Sequence, residues 1–276
     1  MVLNSISFSL LPFSADFKAQ NMAKGSSSLP FVLISTLGIV FTIIYIINNC
    51  ETKGIRLMLS TILILFFVNT VLTQLETLFF GEAFEGLLKR DILMICLANL
   101  FPIIFSVITG VLLFERKDNL NESGHCAATL IDVKKSSITV LFIGVIYVII
   151  YFTFGYFVAW RFDAVRMFYA GSTADLGFIE KLISNWSENP VIYLFQYFRG
   201  ILFACSGLAL LSMKWKKKYD FVISLCLVYL CTAIQLIVPN FLFPDAVRWA
   251  HFLEMFSSML LFGISTSVLL WKCRKD

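Results

Sequence analysis

The sequence predicts an all-α fold, a polytopic bundle of about seven transmembrane helices. Of its 276 residues, 59% are hydrophobic and only 14% are charged, and the mean hydropathy is +0.84. Soluble domains carry about 25% charged and about 45–50% apolar residues, so this composition excludes a water-soluble globule and a disordered chain. The apolar runs are long and continuous rather than alternating over about 10 residues, which favours membrane helices over a transmembrane barrel.

Seven apolar runs reach the roughly 20 residues that a helix needs to cross a hydrocarbon core of about 30 Å. Pro30 stands at the start of the first run, where proline fits the first turn of a helix. Pro102 lies inside the third run, where we expect a kink. The predicted spans 1 to 7 are Leu29–Ile47, Ile55–Phe80, Ile92–Phe114, Ser137–Trp160, Pro190–Met213, Phe221–Val238 and Val247–Trp271.

The first 28 residues precede these spans. Residues 2–13 are apolar but few, and they lack the basic flank and the small-residue cleavage site of a signal peptide. We interpret residues 1–28 as an N-terminal arm, interfacial or disordered, with an eighth span as the alternative. Residues 29–271 then form one seven-span membrane domain, and residues 272–276 form a cytoplasmic tail.

Lysine and arginine are distributed unequally between the two sides of the bundle. One side holds the first turn, the loop from Glu115 to Lys135, the cluster from Lys214 to Lys218 and the tail, with 13 basic residues in all. The opposite side holds the N-terminal arm and the loops after spans 2, 4 and 6, with 8. We call them the lysine-rich side and the arm side. The positive-inside rule then predicts an N-out, C-in orientation.

Ionisable residues at membrane depth are costly and are interpreted as functional by default. Glu76 lies about one turn from the arm-side end of span 2, and Arg199 lies about nine residues into span 5 from the same side. His251 and Glu254 occupy the first turns of span 7, and Gln235 lies near the end of span 6. These five side chains from four spans are therefore predicted to converge in the outer half of the bilayer.

Helical spacing adds further polar residues to this group. Asn69 and Thr73 precede Glu76 on one stripe of span 2. Polar stripes should face the bundle interior or a wet cavity, because lipid would leave them unpaired. The sequence therefore predicts a polar pocket that is open to the outside and bounded by spans 2, 5, 6 and 7. Its secondary lining residues are Asn69, Thr73, Gln196 and Ser258.

Charge balance limits what such a pocket can do. Arg199 supplies one permanent positive charge, whereas Glu76 and Glu254 supply two negative charges when both are ionised. A proton, a protonated His251 or a bound cation must balance the second carboxylate. We therefore predict small-molecule or ion handling, with proton- or cation-coupled transport as the first interpretation. In it, the two glutamates bind the proton or cation, His251 assists and Arg199 holds an anionic group.

Three alternatives stay open. In the first, His251, Glu254 and Glu76 hold a divalent cation in a membrane-embedded enzyme that acts on an anionic, lipid-like substrate. In the second, a ligand or a pH change shifts the bundle and the protein is a sensor. In the third, the polar pairs only hold helices together. We assign no catalytic residue, and the predicted partners are the lipid bilayer and a small molecule or ion.

Nucleic acid is not among the predicted partners, because the net charge of +4 is explained by the topology signals. The chain contains no P-loop, dinucleotide-binding fingerprint or nucleophile elbow. In the loop after span 4, apolar residues recur at helical spacing from Leu176 to Trp186, which predicts an amphipathic helix in the membrane interface, with a lid over the pocket as the alternative. Tyr147 and Tyr151 either line the pocket or belong to the aromatic belt.

Short strings in four regions resemble a group of uncharacterised bacterial multi-pass inner-membrane proteins. The resemblance extends over most of the chain and implies a location in the bacterial inner membrane, but it carries no activity. The residues concerned are Gln74, Glu76, Thr77, Phe198, Arg199, Gly200, Pro239, Asn240, Arg248, His251 and Glu254.

Overall fold

The computed structural model describes residues 8–24, 28–81, 87–115 and 129–275, which we take as the structure of the protein. It is 81% helical, and no strand occurs within these ranges. Within the described part of the chain, seven helices are long and apolar enough to cross a membrane, which confirms the predicted fold class. Spans 1 to 7 are Leu29–Asn49, Gly54–Phe79, Lys89–Phe114, Val133–Arg161, Val191–Leu211, Lys218–Ile237 and Asp245–Trp271.

The observed ends of the spans differ from the predicted ones by a few residues, for local reasons. Span 4 begins at Val133 rather than Ser137, because the Asp132 carboxylate accepts a hydrogen bond from the Lys135 backbone N–H at 3.0 Å and caps the helix. Span 6 ends in a tight 3₁₀ turn at Gln235–Ile237. Pro102 lies inside the third span as predicted.

Span 7 packs mainly against spans 6 and 4, and span 5 packs mainly against span 4. Spans 1, 2 and 3 form the other flank, where span 1 also contacts span 6. Aromatic side chains fill the centre: Phe203, Tyr229 and Phe262 are fully buried, and the Tyr229 hydroxyl donates to the Phe203 carbonyl oxygen at 2.6 Å. The site described below borders this core.

Many large apolar side chains point outward from the spans. Leu112, Leu113 and Leu194, for example, are 67–74% exposed in the isolated chain. In water such a surface would be an aggregation hazard, but hydrocarbon solvates it. The outward-facing residues thus mark the lipid-contacting perimeter of the bundle.

Spans 4 and 5 approach closely where two glycines face each other. A Cβ atom added at Gly200 would lie 2.5 Å from the Cβ of Tyr147 and 3.1 Å from the Cα of Gly144. Small residues allow membrane helices to pack backbone against backbone. This contact holds Tyr147 beside Arg199, the residue that precedes Gly200.

Part of the N-terminal arm packs on the bundle. A ten-residue helix, α1 (Ala15–Lys24), begins after Ser14, whose backbone N–H and hydroxyl both donate to the buried Asp91 carboxylate at 2.8 and 2.7 Å. Phe13 and Phe17 are buried against residues at the start of span 3. Where it is described, the arm therefore contacts the start of span 3. Residues 1–7, which the alternative of an eighth span would need, lie outside the described ranges.

Two short helices follow span 4 on the arm side, α2 (Asp163–Ala170) and α3 (Phe178–Glu188). The buried Arg166 guanidinium holds this segment together by donating to the carbonyl oxygens of Trp160 and Thr173 at 2.6 and 2.9 Å. Helix α3 exposes Ile179 and Ile183 on one face, which agrees with the predicted amphipathic pattern. Helix α2 packs on span 7 and brings one of its side chains to the candidate site.

Candidate functional site

Arg199 and Glu76 form an ion pair between spans 5 and 2, with 2.7 Å between Arg199 Nη2 and Glu76 Oε2. Arg199 is 2% exposed, whereas the Glu76 side chain is 27% exposed. Arg199 Nε also donates to the Leu72 carbonyl oxygen at 3.2 Å, and Nη1 lies 3.5 Å from Gln196 Oε1. Groups on spans 2 and 5 thus hold the Arg199 guanidinium in place, and Glu76 is the more exposed residue of the ion pair.

The helix that carries Glu76 is irregular one turn earlier. Residues Phe67–Val71 form a π-helical segment, in which the Leu72 N–H bonds the Phe67 carbonyl oxygen five residues back. Such an insertion rotates the helix face relative to a regular α-helix, and π-bulges occur frequently at functional sites. Asn69 lies inside this segment and contacts Gln235 of span 6.

Gln235 and Asn69 connect spans 6 and 2. The Gln235 amide nitrogen lies 3.3 Å from the Asn69 carbonyl oxygen and 3.5 Å from Asn69 Oδ1. The Asn69 amide nitrogen and the Gln196 amide nitrogen are buried, and neither has a hydrogen-bond partner in the described residues. Thr73 uses its hydroxyl locally, donating to the carbonyl oxygens of Asn69 and Thr70 in its own helix.

His251 and Glu254 form a second pair one turn apart on span 7, with 3.0 Å between His251 Nδ1 and Glu254 Oε2. The Glu254 side chain is 8% exposed and that of His251 is 19% exposed. The other ring nitrogen of His251, Nε2, lies 3.0 Å from the Tyr169 hydroxyl on helix α2. A chain of hydrogen bonds therefore runs from a helix outside the spans to a buried carboxylate.

The Tyr169 phenol is the neutral end of this chain of hydrogen bonds. Burial raises the pKa of the Tyr169 phenol above its ordinary value of 10.0, and the negative charges of Glu76 and Glu254 raise it further. The phenol therefore stays protonated, and its hydroxyl is available to donate to His251 Nε2 when that nitrogen carries no proton.

A cavity of about 10 Å³, room for one water molecule, lies beside Glu254 between spans 4 and 7. Its polar lining consists of Tyr147, Tyr151, Glu254 and Ser258. The Arg199 guanidinium lies over the Tyr147 ring, 5.8 Å from its centroid. Of the two roles considered for Tyr147 and Tyr151, the structure supports lining a cavity.

The larger, outward-open pocket remains a prediction, because the structure brings its residues together in three smaller sets. These are Arg199 with Glu76 and Gln196, Gln235 with Asn69, and His251 with Glu254. Within the described ranges no three His, Cys, Asp or Glu side chains lie close enough to hold a metal ion. Glu76 therefore does not join His251 and Glu254 as a ligand set here, and the divalent cation also remains a prediction.

Two contributors were not predicted as site residues from the sequence. Tyr169 lies in a loop and has no spacing relation to span 7, so only the folded chain relates it to His251. Arg248 is 2% exposed and donates to the Leu236 carbonyl oxygen at 3.2 Å and to that of Ile237 at 2.5 Å. It caps the end of span 6, where a cation is favourable. Its position one turn before His251 in the sequence could have indicated that it lies near the site.

Comparison with known proteins returned no match to any family model, any curated protein or any solved structure. The resemblance to bacterial inner-membrane proteins therefore stays an expectation, and the function is argued from the geometry.

Proposed function

We propose that this multi-pass membrane protein moves a small anionic solute together with a proton or other cation through the polar site on the arm side of the bundle. Following the positive-inside rule, we place the arm side outside a bacterial inner membrane and the lysine-rich side in the cytoplasm. The proposal rests chiefly on one observation: the buried Arg199 guanidinium is paired with Glu76, whereas the buried Glu254 carboxylate pairs with His251 instead.

The pairing assigns different tasks to the two acids. Glu76 neutralises Arg199, so Glu254 must be balanced by a proton, by a protonated His251 or by a bound cation. Glu254 faces the water-sized cavity beside Tyr147 and Tyr151, and it receives a hydrogen bond from His251. It is therefore our candidate for the group that takes up and releases the coupling ion.

Arg199 would hold the anionic group of the solute. Since its guanidinium is already bound to Glu76, the solute has to displace that carboxylate, and protonation of Glu76 favours the exchange by removing the competing charge. The greater exposure of Glu76 supports this order, because water and protons reach its carboxylate while the guanidinium of Arg199 stays buried. Proton uptake and anion binding would thus promote each other.

Proteoliposomes loaded with a pH-sensitive dye test the proposal. Succinate, glutamate or inorganic phosphate is added outside, and acidification of the lumen is recorded. We expect one of these anions to acidify the lumen with the natural chain and not with Glu76→Gln or Glu254→Gln. Glu188→Gln, on the exposed face of helix α3, serves as the matched control and should retain the response.

Two outcomes would favour the alternatives. If none of the anions is transported and the substitutions only lower thermal stability, the polar pairs have a structural role. If a divalent metal is retained through purification and lost in His251→Ala, the enzyme interpretation gains support.

Signal reception has one observation in its favour, the hydrogen bond between Tyr169 on helix α2 and His251 on span 7. This bond ties helix α2 to span 7, so a ligand that displaces the phenol from His251 would release α2. Labelling of a cysteine placed at Thr173, the residue that binds Arg166 through its carbonyl oxygen, would report such a movement.

A further inference from the structure

A second polar feature lies at the opposite end of the bundle, on the lysine-rich side. An open cavity of about 590 Å³ is lined by Lys135, Trp271, Lys272, Arg274 and Lys275, and we call it the basic cavity. Four of its five lining residues are cationic. The residues come from the start of span 4 and from the end of the chain, so folding brings them together from distant parts of the sequence.

Backbone pairing builds this cavity. The Asp132 N–H donates to the Cys273 carbonyl oxygen, and the Lys275 N–H donates to the Leu130 carbonyl oxygen, both at 2.9 Å. Ile131 and Arg274 form an isolated antiparallel bridge between these bonds. The tail is thereby fixed along the segment that leads into span 4, and its charges are held beside those of Lys134 and Lys135.

The cations of the basic cavity have no acidic partners in the described part of the chain. No ion pair there involves Lys135, Lys272, Arg274 or Lys275. Arg274 lies over the Trp271 ring, 5.0 Å from its centroid, and Asp132 is engaged in capping span 4. Lys135 also stands in the first turn of a helix, where the helix dipole disfavours a cation.

The neighbouring lysine cluster on the same side is arranged differently. Lys214 pairs with Glu51 at 2.9 Å, and the Lys216 ammonium donates to the Asn48 carbonyl oxygen at 2.6 Å. Lys217 lies over the Tyr219 ring at 5.3 Å. Both clusters satisfy the positive-inside rule, but Lys214 and Lys216 of the lysine cluster bind oxygen atoms of this chain. Among the described residues, no ion pair involves a cation of the basic cavity, and those cations line a concave surface.

We propose that the basic cavity binds the anionic headgroup of a phospholipid. A phosphodiester is negatively charged and can pair with these cations. The cavity opens beside the start of span 4 and the end of span 7, and lipid headgroups lie at the ends of membrane spans. Basic pockets beside helix ends are a known mode of anionic-lipid recognition. The basic cavity is remote from Glu76 and Arg199, so this inference does not depend on the proposed function.

Native mass spectrometry of the full chain in detergent, with added phosphatidylglycerol or phosphatidylcholine, tests it. We expect phosphatidylglycerol to bind with a defined stoichiometry. In Lys135→Gln/Lys275→Gln the affinity should fall roughly tenfold or more. Lys135→Arg/Lys275→Arg keeps both charges and should bind as the natural chain does, which separates the loss of charge from misfolding.

The matched control is Lys216→Gln/Lys217→Gln, which removes two charges from the same side and should leave binding unchanged. An equal loss in this control would mean general attraction of anions to a basic surface and would overturn the proposal. Equal binding of phosphatidylcholine would overturn it as well. So would displacement of phosphatidylglycerol by a similar concentration of inorganic phosphate, since the site would then be one for the free anion.

Discussion

Arg199 and Glu76 are joined across two spans by an ion pair of 2.7 Å, yet the base is 2% exposed and the acid 27%. The two ends of this contact therefore have different access to water. Loss of the acid leaves a buried, permanent charge, whereas loss of the base leaves a carboxylate that can bind water or a proton.

This asymmetry gives the first prediction. Glu76→Gln should lower the free energy of unfolding by about 3–5 kcal/mol, the usual cost of leaving a buried charge unpaired. Arg199→Met should cost less, and the double variant should be more stable than Glu76→Gln alone. Chemical denaturation in detergent, followed by circular dichroism, measures all three. A larger loss in Arg199→Met than in Glu76→Gln would contradict this account.

The close approach of spans 4 and 5 gives the second prediction. Gly200→Ala places a methyl group 2.5 Å from the Tyr147 Cβ, so the helices must separate, at a cost of about 1–3 kcal/mol. Gly155→Ala, on span 4 and with no atom within 4 Å of the added carbon, should cause no loss. Thermal unfolding of the two variants compares them directly, and equal melting temperatures would rule out the tight crossing.

A pH dependence follows from the raised pKa of Tyr169. Because the folded chain favours the neutral phenol, the stability that Tyr169 contributes is fully present below pH 10.0 and is lost as the pH rises above it. Tyr169→Phe should therefore cost about 0.5–1.5 kcal/mol near neutrality, through the lost hydrogen bond to His251. The difference from the natural chain should shrink at alkaline pH. A difference that stays constant over the whole pH range would argue against the contact.

The orientation can be tested with thiol labelling, but not through the native cysteines on the lysine-rich side. Cys50 and Cys273 are both fully buried, and Cys126 lies outside the described residues. In a background without cysteines, Thr173→Cys should react with an impermeant maleimide on intact cells, and Lys275→Cys should react only after lysis. The reverse pattern would invert the proposed N-out, C-in topology.

Much of the fold follows from local properties of the chain. The seven spans were predicted from apolar length alone, because the bilayer fixes how many residues a helix needs. Asn69 and Tyr169 show where this reasoning ends. Asn69 lies in a π-helical segment, and a loop helix carries Tyr169 to span 7. Neither is encoded in a regular helical repeat.

The amino-acid sequence by itself determined that this is a seven-span helical membrane protein with costly ionisable residues at Glu76, Arg199, His251 and Glu254. That information lies in the amino-acid composition and in the helical spacing of the polar residues, and both describe one helix at a time. Only the tertiary structure decided that Arg199 pairs with Glu76 rather than Glu254, and that the tail meets the start of span 4. Such choices depend on distances between helices, and those are set by close contacts such as that of Gly144 with Gly200.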